Sequence, residues 1–190
     1  SAENWSMEEL SSVAIDDEKA GETIVDYLIE HGHTKIAEIG ANLELSQTAI
    51  LRHNGYLNSF KKHGITPDER YYERARFSYD SAYRAMKKLL EKNIEITAVY
   101  AISDVMAIGA IRAILDKGLR VPEDISITGF DGSTLAEYYN PKIVSIRQPH
   151  KDMAARSVEL LFSMIDLHKG SCHEIIPFEL TEGESVARID

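Results

Sequence analysis

The residues best placed to do chemistry stand at the ends of strands. Asp131 follows Ile125-Ser126-Ile127-Thr128-Gly129-Phe130, an apolar run that reads as a short buried strand. Val121-Pro122 stops the helix before it, because proline forces its predecessor out of the α region, and Gly132-Ser133 lies beyond. Ligands of open α/β sheets bind outside the carboxyl ends of the strands, so a carboxylate there is a candidate ligand contact. Arg52 falls in the first turns of a helix that follows a strand, where its planar fork can give two parallel hydrogen bonds. Ser103 directly follows the strand Thr97–Ile102 and can donate or accept at the same edge. Asp104 beside it reads as a helix cap. Together these groups suit reversible, hydrogen-bonded capture of a small polar molecule.

Covalent and metal chemistry find no comparable support. Ser, His and Asp all occur, but the strained elbow that exposes a nucleophilic serine does not. His31-Gly32-His33 straddles a helix stop with no third ligand nearby, so it reads as a helix terminus, not a metal site. Gly40-Ala41-Asn42-Leu43-Glu44 holds one glycine, too few for a dinucleotide-binding loop. No cofactor and no enzymatic activity are expected.

The elements that must position these residues alternate strand and helix, which predicts a largely parallel sheet covered by helices. Strands are expected at Ser12–Ile15, Lys35–Ile39, Tyr71–Ala75, Thr97–Ile102, Ile125–Phe130, Ile143–Ile146 and Ile175–Leu180. Helices are expected at Asp17–Glu30, Gln47–Lys62, Tyr79–Lys92, Asp104–Lys117 and His150–Leu167. In the last of these, Met153, Ser157, Val158, Leu161, Met164 and Ile165 form an apolar stripe that reads as core.

Charge narrows the classes further. The 190 residues carry a formal net charge of −10. An acidic chain lacks the basic face that nucleic-acid binding needs. No apolar run approaches membrane-span length, and no stretch reads as a secretory signal. The single Cys172 excludes an internal disulfide and fits a reducing compartment, consistent with a cytoplasmic protein.

Several motifs resemble the lactose/galactose repressor family. The run Val121 to Asp131 matches its V-P-x-D-I/V-S-I/V-x-G-F/Y-D signature. Ile15-Asp16-Asp17-Glu18-Lys19-Ala20-Gly21 is similar to the family's helix entry, and Tyr27 to His33 resembles its Y-L-I-E-L-G-H segment. Arg52-His53-Asn54-Gly55-Tyr56, Ser103 to Gly109 and Asn140 to Pro149 resemble further family segments. The resemblance implies an effector-binding domain with a fold like a type I periplasmic binding protein. It would sense a sugar or sugar phosphate, and binding between two lobes would shift a dimer between DNA-binding and released states. An extracytoplasmic sugar-binding protein of a transporter is the alternative on the same fold.

The family also carries a helix-turn-helix DNA-binding domain, a hinge and the first half of an N-terminal lobe before the part matched here. On that comparison residues 1–16 enter from the N-terminal lobe and 17–147 form the C-terminal lobe. Residues 148–177 return to the N-terminal lobe, and 178–190 rejoin the C-terminal one. This chain alone would then bind neither operator DNA nor effector. The resemblance nominates Arg52, Asp131, Ser103 and Phe77 as ligand contacts, Phe77 by stacking on a sugar face. Asp16 and Gln148 join them because they fall at the crossings between lobes. A homodimer is expected through Met106, Ile111, Tyr138 and Tyr139. The helix Asp104–Lys117 carries more apolar positions than one buried face needs. The competing reading buries that helix on both sides within its own lobe.

Overall fold

The computed structural model describes residues 11–44, 46–167 and 171–189. The chain divides into two compact units. One is Asp17–Arg147 with Glu179–Asp190, and the other joins the described part of Ser1–Asp16 to Gln148–Phe178.

The larger unit is a six-stranded sheet in the order β3-β2-β4-β5-β6-β8. Its strands are β2 (Ile36–Gly40), β3 (Tyr72–Arg74), β4 (Ala98–Ala101), β5 (Ser126–Asp131), β6 (Val144–Arg147) and β8 (Glu179–Thr181). All pair in parallel except β8, which runs antiparallel to β6 along the edge. The central strands β2 and β4 are buried along their whole length, as expected of a sheet covered on both faces. The covering helices are α1 (Asp17–Glu30), α2 (Gln47–Lys62), α3 (Tyr79–Glu91) and α4 (Asp104–Asp116). A short helix α5 (Thr134–Tyr138) follows β5 and has no counterpart in the sequence reading.

Local chemistry sets the helix ends. Ser46, Ser78, Ser103 and Ser133 each cap a helix by accepting a backbone N–H of its first turn. Helix α1 closes on Gly32, whose φ of 94° lies in the left-handed region. There Gly32 N–H reaches Ile29 O at 2.9 Å and His33 N–H reaches Leu28 O at 3.1 Å, the paired closure typical of such a stop. His33 is buried: its Nδ1 pairs with Thr97 Oγ1 at 3.1 Å and its Nε2 with Ala187 O at 3.0 Å. On α1, Ala20, Ile24, Val25 and Leu28 are wholly buried. Each larger side chain of that kind contributes about 1.5–3 kcal/mol.

The neighbouring helices α1 and α2 are pinned together by Asp26. It accepts Ser59 Oγ at 2.6 Å, Lys62 Nζ at 2.6 Å and His63 Nε2 at 3.0 Å. Burial pulls its carboxyl upward, but the bonds from Lys62, Ser59 and His63 outweigh that and hold it below 3.8. The C-terminal tail is laced to the sheet by the buried Ser185. Its Oγ accepts Val144 N–H at 2.9 Å and donates to Ile127 O at 2.6 Å.

The smaller unit pairs β1 (Ser12–Ala14) in parallel with β7 (His173–Ile175) beside α6 (His150–Leu167). The expected single strand Ile175–Leu180 is therefore two strands in two sheets. β7 ends at Ile175, and β8 begins at Glu179 on the far edge of the other sheet. The apolar stripe of α6 also departs from the core reading. Val158, Leu161 and Ile165 are exposed, and among the side chains described on this helix Leu160, which lies off the stripe, is the buried one.

Candidate functional site

The site grows from a rule of the fold: in this parallel sheet the helices that follow strands start at the carboxyl edge. Arg52 sits in the second turn of α2, Ser103 caps α4, and Asp131 ends β5. Arg52 is 4% exposed, an unusual burial for a guanidinium. Its charge is met three ways. Nε donates to Asp17 Oδ1 at 2.7 Å, and Nη1 donates to Ile102 O at 2.6 Å. The cation also lies 3.5 Å from the centroid of the Phe130 ring. Asp131 Oδ1 stands 3.6 Å from Nη1, beyond a direct hydrogen bond but close enough to form an ion pair. The structure thus brings together Arg52 and Asp131, and adds Asp17 and Phe130, which the sequence reading did not nominate. The signal for Asp17 was its place at the start of α1, above the same sheet edge.

Asp131 has a φ of 112°, a backbone region that side chains other than glycine rarely adopt. The turn around it is held by Asp104. Oδ2 accepts Ser133 N–H at 2.6 Å, and Oδ1 accepts Ser145 Oγ–H at 2.6 Å. Burial pushes the Asp104 carboxyl upward, against the pull of Ser145 and Ser133. Gly129 permits this approach, because a Cβ there would lie 2.3 Å from Asp104 Oδ1. Ser103 and Asp104 therefore do different structural work from each other. Ser103, nominated for ligand, caps α4 through Met106 N–H at 3.3 Å and is 3% exposed. Asp104, expected to cap, reaches across to the β5–α5 turn and fixes the segment that carries Asp131.

The other nominees are placed as follows. Phe77 lies between β3 and α3 with its ring half in solvent, just past the strand that ends the sheet on the side opposite β6 and β8. Asp16 and Gln148 both belong to the smaller unit, Asp16 exposed and Gln148 half-buried. Beneath the site runs a buried polar row. Glu38, Tyr100 and Thr128 are direct cross-strand neighbours on β2, β4 and β5. Glu38 accepts from or shares a proton with His53 Nδ1 at 2.7 Å, but Glu38 Oε1, the Tyr100 hydroxyl and Thr128 Oγ1 have no hydrogen-bond partner in the structure. Burial pushes the Tyr100 hydroxyl well above its ordinary range.

The expected interface residues need correction. Met106 and Ile111 are wholly buried within their own unit, so neither can anchor a partner. Helix α4 is covered by both the sheet and α3, the competing reading at these two positions. Its outward side instead carries Ile108 and Arg112. With Tyr79, Asp80, Tyr83 and Tyr139 they line a largely apolar groove of about 400 Å³. Tyr138 is 81% exposed beside it.

Residues 25–186 match the model of the periplasmic binding protein-like domain. The chain is 41% identical over 179 residues to the HTH-type transcriptional regulator MalR of Clostridium butyricum, covering 94% of this chain and 53% of that protein. The chain spans about half the length of such curated relatives. A transcriptional regulator CelR–cellobiose complex superposes with a TM-score of 0.90 at 32% identity, covering 96% of this chain and 56% of the other. A LacI family transcriptional regulator from Enterococcus faecium with bound ribose gives 0.89 at 26% identity, with 98% and 69% covered. With its parallel sheet, its carboxyl-edge Arg52–Asp131 pair and a match over most of its length, the chain belongs to the periplasmic binding protein-like domain family.

Proposed function

We propose that this chain is the effector-sensing domain of a cytoplasmic, sugar-responsive transcriptional repressor. The observation that carries the reading is the preorganised pair at the sheet's carboxyl edge. Arg52 is buried, stacked on Phe130 and aimed beside a carboxylate in a strained backbone position. Such strain persists where the surrounding structure over-determines it, and it clusters at ligand clamps. A guanidinium and a carboxylate side by side suit adjacent hydroxyls, one accepting and one donating. The two similar regulators solved with cellobiose and with ribose support a sugar as ligand.

In this reading Asp17–Arg147 with Glu179–Asp190 is one lobe, and the smaller unit belongs to a second. Asp16 and Gln148 lie where the chain passes between units, and Phe77 offers a ring for a sugar face. Effector binding would act by differential affinity for two lobe arrangements, which sets how far a DNA-binding equilibrium can shift. DNA contact would come from a separate DNA-reading domain, since the chain itself carries −10. A homodimer would use the groove of Ile108, Arg112, Tyr79, Tyr83 and Tyr139 with the exposed Tyr138.

The test is calorimetric titration of the protein carrying this chain with cellobiose, maltose, glucose and ribose. Saturable binding of at least one, with the sugar recovered unchanged, is expected. Turnover of the sugar, or no binding to any carbohydrate across a broad panel, would overturn the reading.

A further inference from the structure

Resting on that reading, we infer that the effector is an uncharged sugar and that Asp17 is the residue that sets this selectivity. Arg52 does not reach the sheet edge as a spare positive charge. Asp17 Oδ1 is 2.7 Å from Nε, and the two side chains are only 14% and 5% exposed, so the pair is largely shielded from water. Asp131 then supplies a second carboxylate 3.6 Å from Nη1. Around this one guanidinium the protein has placed two negative charges before any ligand arrives.

The hydrogen-bonding pattern points the same way. The protein itself uses Nε and Nη1, through Asp17 and Ile102 O, which leaves the Nη2 end of the fork to a ligand. A sugar hydroxyl would suit both groups, accepting from Nη2 and donating its own hydrogen to Asp131. A phosphate ester carries about −1.5 to −2 at pH 7 and, when fully ionised, has no hydrogen to give Asp131. It would face two carboxylates across the width of one guanidinium.

Other cations at this edge do not change the balance. Arg147, the register partner of Asp131, arrives with Glu137 at 3.7 Å. Arg74 and Arg76 lie at the end of β3, three strand spacings from β5, roughly 14 Å away at about 4.8 Å per spacing. The anion-favouring end of α1 is already met by Asp17 and Glu18 in its first turn, whereas that of α2 carries no carboxylate, which leaves Asp17 and Asp131 as the charges set against an anion beside Arg52.

The experiment is a binding series on the protein carrying this chain, with cellobiose, maltose, glucose and ribose, each beside its terminal phosphate monoester. The best ligand should be a neutral sugar whose ester binds at least roughly tenfold more weakly. Asp17→Asn keeps an oxygen for Arg52 Nε but removes the charge, and should narrow that gap by roughly tenfold. Asp17→Glu should keep the gap. An ester that binds as tightly as its parent sugar overturns the inference, even if neither variant folds. So does an unchanged gap in a folded Asp17→Asn protein. A response to esters alone sinks the charge selection and spares the sugar reading, with Arg74 and Arg76 the next place to look. A response to none of the eight probes counts against the sugar reading itself.

Discussion

Replacing Arg52 with methionine separates what this residue does for the fold from what it does for a ligand. The methionine stem keeps apolar contact over Phe130 while removing the guanidinium. Two hydrogen bonds go with it, to Asp17 at 2.7 Å and to Ile102 O at 2.6 Å. Hydrogen bonds to charged groups contribute about 1.5–3 kcal/mol each, and a carbonyl left buried without a donor costs about 1–3 kcal/mol. Ile102 is wholly buried, whereas Asp17 is 14% exposed and can turn toward water. The two losses are therefore unequal and not additive, and the expected destabilisation is about 2–4 kcal/mol. Urea unfolding at pH 7 measures it through the shift in midpoint at constant slope. Arg52→Lys, which keeps the charge without the fork, should fall between Arg52→Met and the unaltered protein. A loss below about 1 kcal/mol for Arg52→Met would refute the view that Arg52 is locked in place by its own lobe.

Three further outcomes follow from the same structure. Asp26→Asn should cost about 1–3 kcal/mol at pH 7 by weakening the link from α1 to Ser59, Lys62 and His63. Because the folded Asp26 titrates below 3.8, its contribution is present above that pH and fades as pH falls further, so the two unfolding curves should converge in acid. Tyr100→Phe should leave stability unchanged or raise it by about 1 kcal/mol in thermal unfolding, since it removes a buried hydroxyl that has no partner; a loss above about 2 kcal/mol would show that the hydroxyl is bonded after all. Ile108→Glu and Tyr139→Asp should dissociate the proposed dimer in light scattering at unchanged secondary structure, whereas Ile111→Glu should unfold the chain because Ile111 is wholly buried.

Much of this architecture was legible in the residues. Periodicity and caps located both ends of α1 and α2, because serine or aspartate starts and glycine stops are local signals. Arg52 and Asp131 were singled out by their placement near strand ends together with the family resemblance, and their pairing came only with the structure. Most of what escaped had non-local causes. Nothing near Asp104 in sequence reports Ser133 and Ser145, 29 and 41 residues away, so its role read as a simple cap. Met106 and Ile111 were over-read as interface anchors because an apolar helix looks the same whether a second helix or a second subunit covers its outer side. Ile175–Leu180 was read as one strand although the family comparison put a lobe boundary at 177/178 within it; β7 and β8 lie on either side of that boundary.

The most direct test of the central claim is thermal unfolding of the protein carrying this chain, alone and with each of a panel of neutral sugars, for the unaltered protein and for Asp131→Asn. A ligand that binds only the folded state at a hundred times its Kd adds about 2.7 kcal/mol, a rise of a few degrees in Tm. The account predicts such a rise with at least one sugar, and its disappearance in Asp131→Asn at nearly unchanged Tm without ligand. An undiminished rise in Asp131→Asn would contradict it.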